Sequence, residues 1–194
     1  YFTEFWCSDD TDPYERIYIQ WSLSKFFPAK TMGSHVTNWN RRASVKFRTD
    51  VCSSCKLGFD IDLKSLSQDE YKFVQSAVKN YNDMKPVILE GDQYRLISPY
   101  ESDHCALNYV SKDRQRAVLF VYDLHPRYKE PLRNVKLQGL DARKVYTVRE
   151  TNLMPGAKSW LECDGKQYSG DYLMKVGLNV LTANEGSSRV LVLE

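Results

Sequence analysis

The pattern of apolar residues changes near residue 88, and that change constrains the fold more than any other feature. Before it, helix signals alternate with short strand-like runs. After it, nearly every apolar run has the length and punctuation of a strand. Alternating strands and helices build parallel β/α units. Short strands separated by Gly, Asp, Asn and Pro build an antiparallel sandwich. The expected fold is therefore α/β over residues 1–87, followed by an all-β sandwich over 88–194.

Two helices are signalled in the first part. Asp12-Pro13-Tyr14-Glu15 places an N-cap acid before Pro at the first helical position. Tyr14, Ile17, Tyr18 and Trp21 then recur at helical spacing, and the helix should stop before Pro28. Ser67 and Glu70 form a second capping box. Tyr71, Val74, Ala77, Val78 and Tyr81 share one face of that helix, with Pro86 after its end. Strands are expected at Phe5, Met32–Val36 and Leu57–Ile61, the last two joined by a loop. A TIM barrel needs eight β/α units and about 250 residues. The two or three units here read as the end of such a barrel. The opening Tyr1-Phe2-Thr3, without Met or a leader-like stretch, agrees with the C-terminal piece of a longer polypeptide. In the second part, strands are expected at 94–98, 107–110, 117–122, 134–138, 144–150, 172–176 and 189–193.

Charge and hydropathy exclude some partners. Lys+Arg number 27 and Asp+Glu 25, a net charge of +2, which is no footprint for nucleic acid. The longest apolar run, Ala117 to Tyr122, is far short of the roughly 20 residues of a membrane helix. Neither nucleic acid nor membrane is an expected partner. Aromatic residues make up 13% of the chain, and they fit either core packing or the lining of a sugar cleft. Cys52-Ser53-Ser54-Cys55 is a CxxC. No second pair follows at zinc-ligand spacing, and no thioredoxin-like context surrounds it. The five cysteines are expected to be ordinary reduced thiols, with no metal.

The densest polar cluster is Ser8-Asp9-Asp10-Thr11-Asp12, directly after Phe5-Trp6-Cys7. In a barrel it sits at the C-terminal end of a strand, where catalytic residues gather. Asp12 is taken by helix capping and Asp10 reads as a solvated loop acid. Asp9 projects at the strand end beside Trp6 and is the candidate proton donor. A simple acidic loop remains the alternative. Trp6 can be a sugar-stacking wall or barrel core. His35 can reach the cleft or play a structural part. Trp39 and Arg41-Arg42 lie in a loop bordering the cleft or a subunit contact. His104 and His125 fall on loops of the second part and carry no catalytic pattern. No phosphate loop, dinucleotide fingerprint or Ser-His-Asp arrangement is present.

The segment Phe5-Trp6-Cys7-Ser8-Asp9-Asp10-Thr11-Asp12-Pro13-Tyr14-Glu15-Arg16 resembles the acid/base segment of glycoside hydrolase family 36, the α-galactosidases. Thr31-Met32-Gly33-Ser34-His35-Val36 and Leu57-Gly58-Phe59-Asp60-Ile61-Asp62 are similar to the segments that follow it. Gly91-Asp92-Gln93-Tyr94-Arg95-Leu96-Ile97-Ser98-Pro99 resembles the entry to the family's C-terminal sandwich, and Leu137-Gln138-Gly139-Leu140-Asp141 with Tyr146 resembles a later hairpin. The resemblance implies a retaining enzyme for terminal α-galactosides, with Asp9 as acid/base, Trp6 in the substrate site and no cofactor. It also implies that the rest of the same polypeptide completes the site, that the whole protein is a homo-oligomer, and that it works in the bacterial cytoplasm, with periplasm or secretion as alternatives. The family's Lys-Trp-Asp nucleophile segment does not occur in this chain. Two alternatives stand beside this reading. One is an α-N-acetylgalactosaminidase. The other is a sandwich that is only a carbohydrate-binding or structural module.

Overall fold

The computed structural model describes residues 3–39, 43–129 and 131–194. Its first part is a three-stranded parallel sheet in the order β1-β2-β3, formed by β1 (Phe5–Trp6), β2 (Met32–Thr37) and β3 (Lys56–Asp60). Helices α1 (Pro13–Leu23), α2 (Val45–Ser53) and α3 (Gln68–Glu90) accompany it. The Asp12 carboxylate accepts from the Tyr14 and Glu15 N–H groups at 2.9 and 3.2 Å, capping α1 as its sequence requires. The Ser67–Glu70 capping box of α3 is formed in both directions.

Two features of this part differ from the sequence reading. The stretch between β2 and β3 contains a helix rather than only a loop. Ser44 caps α2 by accepting from Phe47 N–H at 3.1 Å. The helix is almost wholly buried, so its sequence lacks the polar face that makes an amphipathic pattern readable. Pro86 lies inside α3 rather than beyond its end. An interior proline costs about 3 kcal/mol through its missing N–H and its ring clash. Here Met84, Val87 and Ile88 bury their side chains on either side of it, and that burial offsets the cost. The inward face of α3 is Phe73, Val74, Ala77, Tyr81, Met84, Val87 and Ile88, leaving Tyr71 and Val78 toward solvent.

The second part is a six-stranded sheet in the order β4-β5-β6-β9-β7-β8, antiparallel at every pairing. Its strands are β4 (Asp92–Ile97), β5 (His104–Val110), β6 (Ala117–Asp123), β7 (Val145–Thr151), β8 (Gln167–Ser169) and β9 (Ser187–Leu193). Every residue of β5 and β6 is buried, so both faces of the sheet centre are covered. One face meets the helices: Leu107, Tyr109, Val118, Phe120 and Tyr122 share a core with Ile17, Trp21, Phe47, Val51, Met84 and Ile88. The other face packs against residues from 135–140, 161–163, α4 (Gly170–Lys175) and 178–181.

Two of the expected strands take other forms among the described residues. Residues 172–176 belong largely to α4, whose N-cap Ser169 accepts from Tyr172 N–H at 3.2 Å. Residues 134–138 contribute a single bridge, Val135 to Leu178. Beside it the Asn108 side chain replaces a strand partner. Its amide donates to Gln138 C=O at 3.0 Å and accepts from Gln138 N–H at 3.2 Å. At Gly139 (φ +80°) the Tyr94 ring occupies the space a Cβ would need, which makes glycine the residue that fits the turn. The layer facing the outer side of the sheet is therefore built of turns, one short helix and extended segments.

Two buried polar clusters fix these parts. Asp50 of α2 has no exposed surface. It pairs with Lys46 at 2.5 Å and accepts from Ser188 Oγ at 2.7 Å and Asn152 Nδ2 at 2.8 Å. Within the sheet, Asp123 is surrounded by His104 (2.7 Å), Arg189, Thr182 and Ser187 (2.8 Å). Burial works to raise the Asp123 carboxyl, but the His104 hydrogen bond, the Arg189 charge and the two hydroxyls together hold it below its ordinary value.

Replacing Asp50 by Ala is expected to cost about 3–5 kcal/mol, because it leaves the Lys46 ammonium without its counter-charge and the Ser188 and Asn152 donors without their acceptor. Thermal unfolding of the variant against the parent measures it. Asp123, with its folded value depressed, contributes stability that is present at neutral pH and is lost as pH falls below about 4 through the folded value. In Asp123→Asn the decline in stability as pH falls below about 4 should be shallower, as read by denaturant midpoints across the acid range.

Candidate active site

The strands β1, β2 and β3 run in one direction, so the loops that follow them emerge at one edge. In parallel β/α structures this carboxyl edge collects functional groups, because successive loops converge there while helices cover the flanks. Side chains alternate across the sheet. Phe5 packs edge-on against Phe27 at 4.7 Å, and the Ser34 hydroxyl donates to Gln20 Oε1 of α1 at 2.6 Å. These mark the helix side. Trp6, Gly33, His35 and Gly58 therefore line the opposite, open face.

On that face the Trp6 and His35 rings meet at 4.3 Å and 67°. Gly58, the register partner of His35, leaves the space that the imidazole fills. Burial pushes the His35 imidazole below its ordinary value, which favours the neutral ring. Trp6 keeps 42% of its surface exposed. It therefore lies outside the core shared by sheet and helices, and His35 stands beside it on the open face.

The three acids of the loop after β1 divide by what the backbone asks of them. Asp12 caps α1. Asp10 accepts from Asp12 N–H at 2.9 Å, closing a local turn. Ser8 Oγ accepts from Asp10 N–H at 3.1 Å. Asp9 is exposed, and its carboxylate makes no hydrogen bond or ion pair with any described residue. Of the three, Asp9 alone is left for a ligand. The loop is tied to the end of β2 by the Thr11 and Thr37 hydroxyls, 2.8 Å apart. Trp39, just past β2, is 78% exposed at the same edge. Arg41 and Arg42 lie outside the described residues. His104 is committed to the Asp123 cluster. His125 stacks on Tyr14 at 5.7 Å and faces Glu185 at 3.4 Å. The structure brings neither histidine to the loops of β1–β3.

Beneath the loop lies a residue the sequence reading passed over. Arg16 is fully buried. Its Nη1 donates to Ser8 C=O at 3.1 Å and its Nη2 to Gly33 C=O at 2.9 Å. The guanidinium carbon is 5.8 Å from the Trp6 ring centroid, in cation–π range. The readable signal was register: Arg16 falls on the buried stripe of α1 with Pro13, Ile17, Gln20 and Trp21. A charge on such a stripe needs a buried partner.

The five cysteines are free. Burial pushes the Cys52 thiol up to about 11, and Cys55 higher still. Such thiols stay protonated and are poor nucleophiles. Among the described residues no group of three or more His, Cys, Asp or Glu side chains is placed to hold a metal ion.

Residues 1–91 match the Melibiase family model, and residues 104–193 match the glycosyl hydrolase family 36 C-terminal domain. Probable alpha-galactosidase G of Aspergillus terreus is 32% identical over 201 residues, covering 100% of this chain and 26% of that protein. The crystal structure of GH36 alpha-galactosidase AgaB from Geobacillus stearothermophilus superposes with a TM-score of 0.85 at 29% identity, over 98% of this chain and 25% of that one. AgaA A355E D548N from the same organism, solved in complex with raffinose, gives 0.83 at 28% identity, over 96% of this chain and 25% of that one. The chain thus spans about a quarter of the length of the relatives it matches. Both halves match models of one family, and they do so in the order and geometry of its solved members: the chain belongs to glycoside hydrolase family 36.

Proposed function

We propose that this chain supplies part of the catalytic centre of a retaining glycoside hydrolase for terminal α-galactosides. Asp9 is its acid/base, and Trp6 forms a wall of the substrate site. The observation that carries the reading is the uncommitted Asp9 carboxyl on the exposed carboxyl edge, one residue after a backbone carbonyl held by a buried guanidinium. Family membership gives that carboxyl its chemistry. The relatives are named alpha-galactosidases, and one was solved with raffinose bound.

Retention needs two carboxyl groups about 5–5.5 Å apart. In the first step Asp9 protonates the leaving glycosidic oxygen while a second carboxylate attacks the anomeric carbon. In the second step Asp9 takes a proton from water as that water releases the galactosyl-enzyme. Trp6 offers an apolar ring face to the pyranose, and the neutral His35 ring beside it extends that wall. The Lys-Trp-Asp nucleophile segment is absent from this sequence, so the second carboxylate comes from another part of a longer polypeptide. On this reading β1–β3 with α1–α3 are the last units of a (β/α)8 barrel. The antiparallel sheet is a structural rather than a sugar-binding layer, because its inner face is already occupied by the helices.

Two outcomes are expected. The 194-residue polypeptide alone should not turn over a nitrophenyl α-galactoside; measurable, inhibitor-sensitive turnover would contradict the division of carboxylates. In the full-length protein, Asp9→Ala should lower kcat/KM on raffinose by roughly 10²–10⁴-fold. Azide should restore turnover of an activated aryl galactoside and yield the α-galactosyl azide, the product of two inversions. Unchanged turnover on raffinose would remove Asp9 from the chemistry.

A further inference from the structure

The buried guanidinium of Arg16 is costly unless it does something that a neutral side chain could not. It has no exposed surface, no carboxylate among the described residues pairs with it, and its Nε is buried without a hydrogen-bond partner. Its hydrogen bonds to Ser8 and Gly33 go instead to main-chain carbonyls, one in the loop after β1 and one near the start of β2. Ser8 C=O belongs to the residue before Asp9, and Gly33 C=O belongs to the register partner of Trp6. The planar fork of an arginine suits this task, since its donors lie in one plane and are fixed relative to each other. A lysine offers one mobile ammonium.

We propose that Arg16 is the positioning residue of the acid/base. It fixes the Ser8 carbonyl against β2, so the backbone entering Asp9 has one orientation, and it holds the Trp6 ring from below. Three connections converge on the same short segment: Arg16 to Ser8, Arg16 to Gly33, and Thr11 to Thr37. Asp9 itself is untethered by side-chain contacts among the described residues, so its placement depends on its backbone. Without Arg16 the loop keeps its helix cap at Asp12 and its tie at Thr11. It loses the anchor on the strand side of Asp9. A displacement of about 1 Å at a catalytic group can cost around 10²-fold in rate.

This inference rests on the reading of Asp9 as acid/base, and the test separates the two. Full-length Arg16→Lys and Arg16→Met are assayed on two substrates from one preparation: raffinose, whose leaving group needs a proton, and 2,4-dinitrophenyl α-galactoside, whose leaving group does not. The ratio of the two rates is independent of how much protein is folded. Arg16→Lys is expected to lose 10- to 100-fold in kcat/KM on raffinose and less than about threefold on the dinitrophenyl substrate. Asp9→Ala run in parallel should show the same selectivity, more strongly. Equal losses on both substrates in the Arg16 variants, or failure of both to accumulate as folded protein, would make Arg16 a folding residue and overturn the proposal. No leaving-group selectivity in Asp9→Ala would instead overturn the reading of Asp9 beneath it.

Discussion

Asp50 stands on the shortest of the three long helices of the first part, entirely out of solvent, yet its carboxylate gathers groups far apart in the chain. Lys46 lies one turn away, while Asn152 and Ser188 belong to the antiparallel part. A carboxylate buried this way is tolerable only when its lone pairs are filled. Filling them fixes α2 against β9 and the end of β7. Around this point the sheet's tyrosines act in the same sense. Tyr109 donates to Ser54 C=O at 2.6 Å, and Tyr122 donates to Asp50 C=O at 3.2 Å. The carbonyls at the C-terminal end of α2 would otherwise be orphaned in an apolar core. The antiparallel sheet therefore completes the helix ends as well as covering the helices.

That dependence reaches the carboxyl edge through α1. Gln20 of α1 donates to Val51 C=O and to Ser54 Oγ, both at 3.0 Å, and accepts from Ser34 of β2. Helix α1 is thus locked between α2 and the parallel sheet, and Arg16, one turn earlier, inherits its position from that lock. Mutations in the sheet core should therefore register at the loop of Asp9, because the connection is a run of packed, hydrogen-bonded groups rather than a flexible linker.

The sequence revealed elements wherever local chemistry and tertiary packing agreed. Asp12-Pro13 and Ser67–Glu70 announce helices because capping is satisfied within four residues, whatever lies around them. The strands β2, β3, β5, β6 and β9 were readable as short β-rich runs with turn residues at their ends. What escaped was decided at long range. Helix α2 is buried on nearly all sides, which erases the polar stripe. By local rules Pro86 ends a helix, yet α3 passes through it because Val87 and Ile88 have a core to enter. Residues 172–176 have a strand's composition, but Ser169 caps them into a helix over the outer layer. Residues 134–138 have a strand's composition, but their hydrogen bonds divide among Leu178, Leu173 and the Asn108 side chain instead of running along one neighbouring strand.

At the candidate site the same distinction applies to three identical side chains. Asp9, Asp10 and Asp12 cannot be told apart by composition, and motif spacing separates only the cap. Hydrogen-bond accounting does separate them. An acid/base must give up and regain a proton at a ligand, so a carboxylate whose lone pairs close a turn or end a helix would trade local structure for each transfer. Asp12 is engaged by two N–H groups of α1 and Asp10 by one of the loop. Those bonds also stiffen the loop that carries Asp9. The two acids whose lone pairs are engaged thus build the platform for the one whose carboxylate is not, and the Arg16 bond to Ser8 C=O holds that platform on its strand side.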